Sequence, residues 1–236
     1  MFRDYKIFYQ KSIGLLLTET LISMAFILFI ETVPLLAKVL SGDSMESMLA
    51  DPENFKLAKF LVCVGAVSVT AVLYMYQTTL SAGPYGLKLY STVPYGAEKQ
   101  ARAILCSNFI YFAAAVIYGA LCIMPMAVTG LFFGQVCISA VYSVSALMTV
   151  AGIFTCIKNM IYSCDIDNTK RAVYFCFLLV LSYGLAVASV VPVFVTEYTA
   201  GVSGSLAVVM TAAMAVSQLG GGYISGRFAA KRWNMH

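Results

Sequence analysis

Residues 103–157 read AILCSNFIYFAAAVIYGALCIMPMAVTGLFFGQVCISAVYSVSALMTVAGIFTCI, without one charged side chain. As a single helix the 55 residues between Arg102 and Lys158 would extend about 82 Å, at roughly 1.5 Å per residue. The hydrocarbon core of a bilayer is only about 30 Å thick. The stretch therefore has to cross, turn and cross back. Pro125, Gly130 and Gly134 lie near its middle, where the turn is needed. A polytopic membrane protein follows, and the functional classes proper to soluble proteins fall away.

The rest of the composition agrees. Hydrophobic residues make up 61% of the 236 positions and charged ones 11%, about half the charge of a soluble domain. That length holds about six spans of some 20 to 25 residues with short loops. The expectation is an all-α membrane protein with a single transmembrane domain over residues 1–236 and no separate catalytic domain. Continuous apolar runs, not alternation, favour helices over a barrel. The spans fall at about 13–40, 60–81, 103–124, 131–157, 172–195 and 203–224. The apolar run after the basic N-terminus is too long for a cleaved signal, so the first helix is expected to stay.

The positive charges lie in short clusters between the spans, the pattern of membrane orientation and not of nucleic-acid binding. Arg3, Lys6, Lys11, Lys88, Lys99, Arg102, Lys158, Lys170, Arg171, Arg227, Lys231 and Arg232 all fall on one side of a six-span bundle. The other side has Lys38, Lys56 and Lys59, beside Asp43, Glu46, Asp51 and Glu53. The positive-inside rule then puts both termini in the cytoplasm. Residues 1–12 place Phe2, Tyr5, Phe8 and Tyr9 at helical spacing, with Arg3, Lys6, Gln10 and Lys11 on the other side. This reads as a short amphipathic helix on the inner leaflet.

No phosphate loop, dinucleotide fingerprint or H-E-x-x-H motif is present. The one histidine is His236 and the seven cysteines form no C-x-x-C pair, so neither a zinc site nor a histidine-dependent intramembrane hydrolase is expected. Catalysis by this chain alone is not expected. Glu31 is the acidic residue deepest in a span, with Glu19 nearer the cytoplasmic end. Ionisable groups in hydrocarbon usually face a bundle interior or a watery path. Either could line a substrate path, and a partner-satisfied structural carboxylate is the plainer alternative. Asn108, Gln135 and Gln218 can line a pathway or hydrogen-bond between helices. Gly222 and Gly226 make a GxxxG spacing suited to close helix contact, within the chain or between two copies.

The loop between the second and third spans is the most distinctive cytoplasmic piece: Val93-Pro94-Tyr95-Gly96-Ala97-Glu98-Lys99-Gln100-Ala101-Arg102. Pro94 fits the start of a helix, where its missing N–H costs little. A short helix from about Tyr95 would offer aromatic, apolar and charged groups as a docking surface. An ordinary connecting turn is the alternative.

The arrangement resembles the ABC-2 type permeases, the membrane subunits of ATP-driven exporters. The resemblance covers nearly the whole chain: an interfacial N-terminal helix, six spans and both ends inside. Family members often have an apolar-Pro-x-Ser-Arg stretch before an acidic residue and the third span. Val93-Pro94-Tyr95-Gly96-Ala97-Glu98-Lys99 looks like that pattern, with Gly96 and Ala97 in place of Ser-Arg. The basic ending Ser225 to Trp233 is also similar to the family's. The resemblance implies a separate ATP-binding cassette subunit carrying ATP and Mg, docked on Pro94, Tyr95, Gly96, Ala97, Glu98, Lys99 and Arg102. It implies a second permease, identical or related, and residence in a bacterial plasma membrane. Short outer loops and an apolar lumen suit export of an amphipathic or hydrophobic cargo, such as an antimicrobial peptide, a lantibiotic, a drug or a lipid-linked molecule. An ion-gradient-driven transporter or channel using Glu31, or a non-transporting scaffold, are the readings from other classes.

Overall fold

The computed structural model describes residues 2–9, 52–79, 95–129, 135–164, 167–196 and 202–233, with the isolated helical positions 18, 21, 22 and 25. The first expected span, with Glu19 and Glu31, otherwise lies outside the described residues, as does Pro94. Among the described residues all regular structure is helical, with no strand. The helices are α1 (Phe2–Tyr9), α2 (Pro52–Thr79), α3 (Gly96–Thr129), α4 (Gln135–Tyr162), α5 (Asn168–Thr196), α6 (Gly204–Ala215) and α7 (Gly221–Trp233). A π-helical turn, Val216–Gly220, joins α6 to α7. Four segments are long and apolar enough to cross a membrane: Gly96–Ile117, Ile138–Tyr162, Thr169–Val191 and Gly204–Lys231. The chain is thus a multi-pass membrane protein, its described regular structure entirely helical.

The charge-free stretch folds as the expected hairpin. Its two arms are α3 and α4, and the five residues between them, 130–134, contain two of the glycines expected at the turn. Pro125 instead sits within the last turns of α3. The helices outrun their apolar runs. α3 begins at Gly96, seven residues ahead of the expected span, and α4 ends five residues after it. The polar ends cost little to keep helical because the chain continues the hydrogen-bond ladder already nucleated in the apolar part.

α4 is the centre of the bundle. α2, α3, α5, α6 and α7 all pack on it. Its sequence explains this: Ala140, Ser143, Ala146, Ala151 and Gly152 are small, and small residues let helices approach closely where lipid offers no hydrophobic drive. α5 is the reverse case. It exposes Val173, Tyr174, Phe177, Val180 and Leu185 along its length, as a helix facing lipid does.

α7 runs antiparallel along α3. A side chain at Gly222 would begin 2.9 Å from Asn108 Nδ2, and one at Gly226 would begin 3.1 Å from the Ala101 carbonyl oxygen. The GxxxG pair therefore makes its close contact inside the chain, with α3. At the start of α7, a side chain at Gly221 would begin 3.3 Å from Cys156 Cβ on α4. The start of α3 and the end of α7 consequently lie side by side.

α1 packs on α3. Asp4, Tyr5, Phe8 and Tyr9 are buried while Phe2, Arg3 and Lys6 are exposed. The aromatic face matches the sequence reading except at Phe2. Tyr5 and Tyr9 lie beside Cys106 and Tyr111 of α3. Burial pushes the Tyr5 phenol up to about 12 and the Tyr9 phenol higher still, so both stay neutral under any physiological condition.

Candidate functional site

Two places concentrate polar chemistry. The first is a buried knot where four helices meet. Gln77 of α2 and Gln218 of the π turn face each other with both side chains fully buried. Gln77 Nε2 donates to Gln218 Oε1 at 2.8 Å, and Gln218 Nε2 donates back to Gln77 Oε1 at 3.0 Å. Gln218 Nε2 also donates to the Met148 carbonyl of α4 at 2.7 Å. The Gln218 carbonyl accepts from Asn108 Nδ2 of α3 at 3.0 Å. One residue thus ties three other helices together. Asn108 keeps a buried Oδ1 with no hydrogen-bond partner.

Beneath this knot, Lys158 of α4 reaches across to the end of α2. Its Nζ donates to the Thr78 carbonyl at 3.0 Å and the Gln77 carbonyl at 3.4 Å, and lies 5.8 Å from the Phe154 ring centroid. The residue is only 3% exposed. The last carbonyls of a helix have no partner within it and carry partial negative charge. The Lys158 amine supplies the N–H donors that these carbonyls lack. The sequence count placed Lys158 among the loop cations; the structure places it inside α4 as a cap for α2. Lys158→Met should leave those carbonyls unsatisfied and destabilise the folded protein by about 2 kcal/mol. A thermal melt in detergent checks this, with Lys170→Met, an exposed position, expected to change little.

The second place is the exposed end formed by α3 and α7. Tyr95 is 74% exposed and has a φ of 58°, a left-handed conformation that is strained for a bulky residue. Its carbonyl nevertheless accepts from Lys99 N–H at 3.1 Å and so starts α3. Gly96 and Ala97 are buried, Lys99 is half-buried, and Glu98 and Arg102 are exposed. Glu98 and Arg102 approach to 3.7 Å one turn apart, a pairing worth little in solvent. The expected short helix at Tyr95 is the first part of α3 itself, continuous with the span. From Cys106, beside α1, back to Tyr95 is 11 residues, about 16 Å of helix, and along it Ala97, Gln100, Ala103 and Ile104 are buried. Arg227, stacked 5.8 Å over Tyr223, and exposed Lys231 belong to the adjoining end of α7.

On the opposite side of the knot, a groove of about 290 Å³ opens between α2, α4 and α5. Val67, Ala71, Leu147, Ala186 and Val190 give it an apolar lining. α2 and α5 meet at Tyr74, whose hydroxyl donates to Ser182 Oγ at 2.8 Å and whose ring lies 5.3 Å from that of Tyr183.

Asn108, read from sequence as a weak candidate for a substrate path, sits in the α3–α7 seam, bonded to Gln218. Gln77 and the capping role of Lys158 escaped the sequence reading. The available signal was a glutamine just before the end of an apolar run, where a buried partner is required. Among the described residues no cluster of three or more His, Cys, Asp or Glu side chains could hold a metal ion. No family model, no curated protein and no solved structure matches this chain.

Proposed function

We propose that this chain is the membrane subunit of an ABC exporter, with six spans, α1 lying in the inner interface and both termini in the cytoplasm. The observation that carries the reading is the first turn of α3. It begins at an exposed, strained Tyr95 and has the basic end of α7 beside it. An exposed aromatic side chain held in a strained backbone conformation beside a basic helix end suits a contact with a partner. The sequence resemblance names a partner, a separate ATPase that carries ATP and Mg.

In this reading the ATPase grips the segment from Pro94 to Arg102. Its nucleotide-driven movement would act on the bundle through α3, because α3 is one continuous helix from Gly96 to Thr129. A nucleotide can shift the bundle only by as much as its ATPase binds one state better than the other. Two such permeases would enclose the path, and the cargo would be amphipathic or hydrophobic.

Affinity purification of the tagged chain from its native membrane tests the proposal. A Walker A protein recovered in stoichiometric amount, with ATP-dependent efflux in vesicles, is the expected result. Transport in ATP-free vesicles under a proton gradient would overturn it in favour of an ion-coupled carrier. In that event Glu31→Gln should abolish the transport.

A further inference from the structure

We propose that α1 turns its basic side to the bilayer and holds an acidic phospholipid of the inner leaflet through Arg3 and Lys6, with Phe2 set among the acyl chains. The inference rests on the interfacial placement of α1 in the reading above and not on the ATPase.

The eight residues of α1 divide between two sides. At about 3.6 residues per turn, Asp4, Tyr5, Phe8 and Tyr9 share one side, and all four are buried. Phe2, Arg3 and Lys6 share the other, and all three are exposed. Ile7, between the sides, is half-buried. An amphipathic helix of this kind is expected to lay its aromatic residues in the leaflet. Here Tyr5, Phe8 and Tyr9 instead join the core with Ala103, Cys106 and Ile110 of α3. What α1 keeps for the bilayer is one aromatic ring and two cations. Phe2 is 57% exposed, a cost in water that the acyl boundary removes.

Charge complementarity names the occupant. The acid of α1, Asp4, is on the buried side, near Cys106 of α3. The outward side therefore carries positive charge alone. Arg3 and Lys6 are three residues apart, neighbours on a helix surface, so a single phosphate can meet both. α3, on which α1 packs, has one acid, Glu98, and it approaches Arg102 at 3.7 Å. A zwitterionic headgroup brings its own cation beside the phosphate, whereas an acidic one does not. Each Lys or Arg near an acidic membrane surface contributes about fivefold in affinity. α3 extends the same order toward the bilayer centre. Arg102, Phe109 and Val116 recur every seven residues along one side and are all exposed. The basic residue comes first and the apolar ones about 10 and 20 Å deeper, as in a lipid from headgroup to chain.

Photocrosslinking in nanodiscs of equal phosphatidylglycerol and phosphatidylcholine tests the site. A benzophenone amino acid in place of Phe2 should capture the acidic lipid at least fivefold over the zwitterionic one. The same group in place of Val180 of α5, an exposed apolar position, should capture the two equally. Arg3→Gln combined with Lys6→Gln should bring the ratio at position 2 to that at position 180. Arg3→Lys combined with Lys6→Arg, which keeps both charges, should preserve it. Phosphate should lower the ratio no more than chloride does at equal ionic strength. Equal capture of the two lipids at position 2, or a preference that survives the double glutamine variant, would overturn the proposal and leave the interfacial helix in place. Greater displacement by phosphate would overturn it in favour of a free anion. Capture of no lipid at position 2 would overturn it together with the interfacial placement of α1.

Discussion

Gly226→Leu should unseat α7 from α3 and destabilise the protein by about 3 kcal/mol, at the upper end of what overpacking a tight interior costs. The reason is where the new side chain would start. Its Cβ would lie 3.1 Å from the Ala101 carbonyl oxygen and 3.2 Å from Ala101 Cα. Both are main-chain atoms, which cannot rotate aside as the end of a flexible side chain can. Gly184→Leu is the matched control. A side chain there meets nothing within 4 Å and points outward from α5, so its effect should stay within about 0.5 kcal/mol. Thermal melts followed by size-exclusion chromatography compare the two directly. Equal loss at both positions would contradict the packing described for α7.

Replacing Pro94 and Tyr95 together by aspartate should remove the proposed ATPase from the purified complex while the bundle stays folded. Tyr95 has the features of an interface anchor: a large aromatic side chain, exposed, at the start of a continuous helix. Such anchors commonly contribute 2 kcal/mol or more, about thirty-fold in affinity, and two carboxylates add a desolvation cost. Glu98→Gln, by contrast, removes only an exposed partner of Arg102 and should weaken association about twofold or less. Retained association in the double aspartate variant, with an unchanged melting curve, would remove this docking assignment.

The backbone plan was legible in the sequence because it rests on coarse quantities. A run of 55 residues without charge has to be a hairpin in any bilayer, and the structure gives it two helical arms, one ending at Thr129 and the other starting at Gln135. The spacing of Phe2, Tyr5, Phe8 and Tyr9 read as the apolar face of a helix on the inner leaflet; the structure packs Tyr5, Phe8 and Tyr9 on α3. What the sequence did not disclose depends on three-dimensional pairing. Gln77 and Gln218 are 141 positions apart, and nothing local to either names the other. Lys158 follows the apolar run directly, so it reads as a loop cation. Only the neighbouring end of α2 makes it a cap. The GxxxG spacing gave the close contact without its partner, which is α3. The π turn carries no sequence signature beyond its following glycines, because it results from a mismatch in register between two packed halves of one helix.

The reading depends most on α3 beginning, and α7 ending, at the same cytoplasmic face, where the basic residues gather. Membrane-impermeant labels reactive with a group placed singly at position 98 or position 236 test this most directly in intact cells. Neither position should react until the membrane is opened, and both should react afterwards. Reaction of either one from outside intact cells would place the two ends across the bilayer from each other, or both outside, and would contradict the account.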